Sequence, residues 1–76
     1  INDTEKEYIK DEINKLLNQN DGYCSDRLLY DEIKRYKPDI LMNNKVETVN
    51  NLFFLCQKLF SEEFDFRRPH ISRQTT

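Results

Sequence analysis

The chain has 76 residues, with 14 acidic and 12 basic side chains, one His, two Cys, one Gly, two Pro and no Trp. A chain this short holds one small domain, residues 1–76, which excludes a multi-domain enzyme or a doubly wound nucleotide fold. Its net charge of −2 lacks the overall basic excess of most polyanion-binding domains.

The first predicted element is a helix. Thr4-Glu5-Lys6-Glu7 fits a capping box, with Thr4 at the cap and Glu7 reaching back. Ile9, Ile13, Leu16 and Leu17 then recur at i, i+4, i+7 and i+8, with Lys6, Lys10, Glu12 and Lys15 expected away from that stripe. The run Asn18–Gly22 stops the helix, Gly22 being the one glycine available for a left-handed turn. Ser25 is a favourable N-cap for a second helix, with Asp26 in its first turn. Leu28, Leu29, Ile33 and Tyr36 mark its buried side, and Pro38 ends it. Residues 39–45 form a connector whose apolar centre plugs the core as a single turn.

The strongest periodicity lies at 46–60, where Val46, Val49, Leu52, Phe53, Cys56, Leu59 and Phe60 recur at three- and four-residue steps. Phe64-Asp65-Phe66-Arg67 then alternates apolar and polar, the pattern of a half-buried strand. Pro69 has no N–H to give and is expected to break the ladder. Ile71 is one more apolar anchor, and 72–76 reads as tail. The chain begins with Ile1 rather than Met, so the expectation is a piece of a longer protein or a processed one.

Charge is uneven along the sequence. Residues 1–36 carry nine acids and six bases, 37–60 two acids and three bases, and 61–76 three of each, the acids first and Arg67, Arg68 and Arg73 last. On helix 46–60 the residues opposite the Val49/Phe53/Cys56/Phe60 side are Glu47, Asn50, Asn51, Phe54 and Lys58. Asparagine can bond adenine through N6 and N7, and lysine can meet guanine or a phosphate. Arg67, Arg68, His70 and Arg73 would touch phosphates or the minor groove beside it. Candidate nucleic-acid contacts are thus Asn50, Asn51, Lys58, Arg67, Arg68 and Arg73. Each has a plainer reading: solvent-facing amides, Phe54 as second-layer core, Arg67 and Arg68 offsetting Glu62 and Glu63, and His70 as a loop histidine. Glu47 would repel a phosphate at the helix start.

Little in the sequence points to chemistry. One His allows no histidine metal triad, four Cys or His ligands for a structural zinc are lacking, and one Gly forms no phosphate loop. Cys24 or Cys56 with His70 could nominally pair, but no orienting third group is evident. The expectation is no enzyme, no cofactor and no metal. Two cysteines with no visible leader read as reduced thiols in the cytoplasm, Cys56 as a small buried hydrophobe. No apolar run reaches membrane-spanning length.

Three helices at Thr4–Leu17, Ser25–Tyr36 and Val46–Phe60, followed by Phe64-Asp65-Phe66-Arg67-Arg68-Pro69-His70-Ile71, resemble the winged-helix and helix-turn-helix modules embedded in larger bacterial regulatory or DNA-processing proteins. The resemblance implies a mainly α fold, a three-helix helix-turn-helix core with a short C-terminal β wing. It also implies double-stranded DNA as partner, with helix 46–60 in the major groove. The competing expectation is a protein-interaction or assembly domain, meeting a protein partner or other domains of its parent chain through Tyr8, Tyr23, Tyr30, Tyr36 and Phe54, residue types favoured at such interfaces.

Overall fold

A computed structural model describes residues 2–74. It is mainly α: helices α1 (Asp3–Gln19), α2 (Asp26–Tyr36), α3 (Pro38–Asn43) and α4 (Val49–Phe60), with strands β1 (Tyr23–Ser25), β2 (Phe64–Arg67) and β3 (His70–Arg73).

Helix α1 begins two residues earlier than Thr4 suggests. Asn2 is the cap: its side chain accepts from the Glu5 backbone N–H at 2.7 Å, while Glu5 accepts from the Asn2 N–H. An Asn two residues upstream serves the capping box as well as Thr, so the motif alone does not fix the register. Ile9, Ile13, Leu16 and Leu17 are buried as expected, but Glu12 is buried with them. It lies one turn after Tyr8, and one of its carboxylate oxygens has no partner among the described residues.

The end of α1 also differs in detail. The Gly22 N–H bonds back to the Leu17 carbonyl at 2.7 Å. The residue next to the cap is therefore Asp21, at φ 57°, and Gly22 follows it at φ 92°. A carboxamide or carboxylate side chain tolerates this conformation better than most, so Asp21 shares the turn assigned to the glycine. Helix α3 ends the same way. Val46 N–H bonds to Leu41 and Lys45 N–H to Met42, with Lys45 left-handed at φ 56°. Within α3, Ile40 and Leu41 plug the core and Met42 projects into solvent, 76% exposed.

The third long helix starts at Val49 rather than Val46. Thr48 caps it by accepting from the Asn51 N–H at 3.1 Å, and Val46 is buried from the preceding loop. The inward stripe is Leu52, Phe53, Cys56 and Phe60; Val49, at the first helical position, is half-buried.

The sheet is where sequence reasoning falls short. Pro69 does not end the ladder: it occupies the two-residue turn between β2 and β3, where no N–H is required. The chain returns as β3, placing Ser72 and Arg73 in a strand rather than a tail; Thr75 and Thr76, also assigned to that tail, lie outside the described residues. Strand β3 is the middle of the sheet, in the order β1-β3-β2, both pairings antiparallel. Cys24 and Phe66 sit opposite Ile71 on the core side, and Phe64 opposite Arg73. The hairpin packs on α4 through edge-to-face pairs, Phe60 with Phe64 at 6.1 Å and Phe53 with Phe66 at 5.7 Å between ring centroids. Rings at this separation attract beyond simple area burial.

Candidate nucleic-acid interface

Apolar packing on one side of α4 fixes which side faces out. At 100° per residue, Phe54 falls at the centre of the opposite side, flanked by Asn50, Gln57, Lys58 and Asn51. All five are exposed. Phe54, read as second-layer core, is instead 52% exposed.

The β2–β3 turn is fastened beside this face. The Pro69 carbonyl accepts from the Asp26 N–H at 2.9 Å, tying the turn to the start of α2. Arg68 reaches the other way: its Nη2 donates to Asn50 Oδ1 at 2.8 Å, and its guanidinium carbon stands 5.7 Å from the centre of the Phe54 ring. One arginine thereby bonds an amide and stacks on an aromatic one helical turn apart.

Of the six candidate residues, Asn50 and Arg68 are therefore in direct contact. Asn51 is on the same face, but its Oδ1 accepts from the Glu47 N–H at 3.2 Å, so it helps shape the helix start. Lys58 lies eight residues beyond Asn50, roughly 12 Å along the helix. Arg67 faces His70 across the strands on the polar side of the sheet, and His70 meets Tyr23 edge to face at 6.1 Å. Arg73 stands apart from them. At the far end of β3 it donates through Nη2 to Asn18 Oδ1 at the end of α1. The expected offset of Arg67 and Arg68 against Glu62 and Glu63 is not what forms: Glu63 pairs with Lys10 at 3.3 Å instead.

Phe54 as the partner of Arg68 was not singled out from the sequence. The i, i+4 spacing of Asn50 and Phe54 is a usable signal, but only the hairpin's fold-back supplies the arginine between them.

The remaining chemical groups are muted. Burial pushes the Cys24 thiol up to about 11, with the nearby Asp26 charge adding to it, and pushes Cys56 up to about 12. Both cysteines are free and buried. Thiols held protonated at neutral pH are poor nucleophiles and poor metal ligands. Among the described residues no group of three or more His, Cys, Asp or Glu is placed to hold a metal ion, and no helix is long and apolar enough to cross a membrane. A shallow depression of about 540 Å³ runs along α1, lined by Asp3, Thr4, Glu7, Tyr8 and Asp11. Its carboxylates make it unsuited to a polyanion.

Searches of family models, of curated proteins and of solved structures find no match to this chain.

Proposed function

We propose that this is a non-catalytic DNA-binding module of a larger protein, a helix-turn-helix core whose hairpin acts as a short wing. The observation that carries the reading is the outward side of α4: exposed along Asn50, Asn51, Phe54, Gln57 and Lys58, and joined to the hairpin turn through Arg68. Helix α2 packs on α4, with short α3 in the connection between them, and this packing supports the reading. Lys58 is the one charged residue of α4, while Arg67 ends β2 and Arg68 begins the turn. These cations neutralise phosphates, and Gln57 and the amide of Asn50 face whatever lies in the groove.

The test is fluorescence anisotropy of a labelled duplex at about 50 mM salt, where counterion release makes phosphate binding strong. Affinity should fall steeply as salt rises. The Arg67→Ala, Arg68→Ala double variant should weaken binding on every sequence and flatten the salt slope by about 0.9 for each phosphate left without its cation. Flat traces would return the case to the protein-interaction reading, for which Tyr23, Tyr36 and Phe54 are the exposed anchors, Tyr8 and Tyr30 being half-buried against the core.

A further inference from the structure

Phe54 is an unusual residue to find at the centre of a surface meant for the edges of paired bases. A phenyl ring can neither donate nor accept a conventional hydrogen bond there. The neighbouring amides are also partly committed: Asn50 Oδ1 accepts from Arg68, and Asn51 Oδ1 accepts from the Glu47 N–H. Paired bonding of asparagine to adenine needs that oxygen as acceptor for N6. The hairpin turn, two residues long, is held to α2 through Pro69 and to α4 through Arg68, so Arg68 is presented at Phe54.

What the surface does offer is a half-open aromatic ring, a guanidinium over it, and a further cation at Lys58. An aromatic face next to phosphate-binding side chains is the chemistry that captures an unstacked base together with its backbone. Resting on the DNA-binding reading above, we infer that Phe54 is the stacking platform for an unpaired nucleobase whose phosphate is met by Arg68. The module therefore takes DNA at a single-stranded segment or end in preference to intact duplex. Phe54 binds the base directly. Asn50 is a positioning residue: it holds Arg68 over the ring.

The chain contains no tryptophan, so Phe54→Trp places one unique emitter at the site. The probes are a blunt duplex and the same duplex carrying a short oligothymidine 3′ overhang. The wild-type chain should bind the overhang DNA about tenfold more tightly, the step expected from one stacked base. Adding overhang DNA should quench the emission of Phe54→Trp, whereas blunt duplex should not. Phe54→Ala should bring the two affinities together while leaving the thermal midpoint near that of wild type.

Equal affinity for both DNAs, with no quenching, would overturn the inference and leave the DNA-binding reading standing. No binding to either DNA would overturn both. Emission of Phe54→Trp that shifts with protein concentration before DNA is added would assign the patch to a second copy of the chain, and that also overturns the inference.

Discussion

Helices α1 and α4 each bury one stripe and expose the other, yet they use their polar sides in opposite ways. The polar side of α1 fastens the fold. Glu5 accepts from Asn43 and Asn44 on the far side of the chain, Lys10 pairs with Glu63, and Asn18 accepts from Arg73. Helix α4 holds the rest of the protein through its apolar side. From its outward side chains the one polar tie to another element, among the described residues, is Asn50 to Arg68. One helix acts as scaffold and the other as display. The net charge of −2 follows the scaffold: α1 carries five acids against three bases, whereas the sole charge on α4 is positive. A global charge count therefore describes the wrong face of this molecule.

The largest expected effect sets two adjacent residues of α4 against each other. Phe53→Ala should cost about 3–5 kcal/mol, the range for emptying a buried phenylalanine site, because Phe53 is 2% exposed and meets Phe66. Phe54→Ala should cost less than about 1 kcal/mol, as expected of a surface position. Urea unfolding of the two variants breaks the comparison if their costs are alike.

Next in size is the response of the interior to alkali. Cys24 and Cys56 have folded thiol pKa values raised to about 11 and about 12. Their burial thus favours the folded state while unfolded thiols are still protonated, and that contribution is lost as pH climbs from about 9 toward those values. Stability should decline over this window. Labelling by a thiol reagent at pH 8 should run at the rate of protein opening, far more slowly than in denaturant. Rapid labelling of the native chain would show that the interior behind β1 and α4 is looser than its packing indicates.

Smaller effects sharpen the scaffold side. Lys45→Gly should raise stability by up to about 1 kcal/mol, since glycine adopts the left-handed conformation at the end of α3 without the Cβ penalty; thermal unfolding reads the shift. The least is expected at Glu5. Its hydrogen bond from Asn43, the main cause, holds its carboxyl below the usual range, with the Asn2 and Asn44 bonds acting the same way. The tie is therefore present at neutral pH and lost as pH falls through the carboxylate range. Glu5→Gln should remove a small part of the acid sensitivity, measured as the unfolding midpoint at pH 7 against pH 3.

The sequence carries the helices well because their signals are local: Ser25 at a cap, Pro38 at a break, Leu52 to Phe60 at helical spacing. Its failures are all non-local or a matter of register. Nothing near Tyr23-Cys24-Ser25 announces a strand, since those three residues become one only by pairing with His70, Ile71 and Ser72. Pro69 looks like a stop until the chain beyond it returns. The burial of Glu12 depends on how α2 lies across α1. In the candidate site, Asn50, Phe54 and Lys58 on one helical side follow from periodicity alone, whereas their meeting with Arg68 depends on the hairpin, and the separation of Arg73 from them depends on where β3 ends.

One consequence follows from the position of β3 between its two neighbours. The last-made piece of the described chain is the seam to which both other strands are sewn, so β1 and β2 must wait for it, and an emerging polypeptide that has reached only Pro69 has helices but no sheet. Cutting the chain there would take Ile71 out of the core and leave β1 and β2 without the strand they pair with. The three-stranded sheet is thus decided at β3.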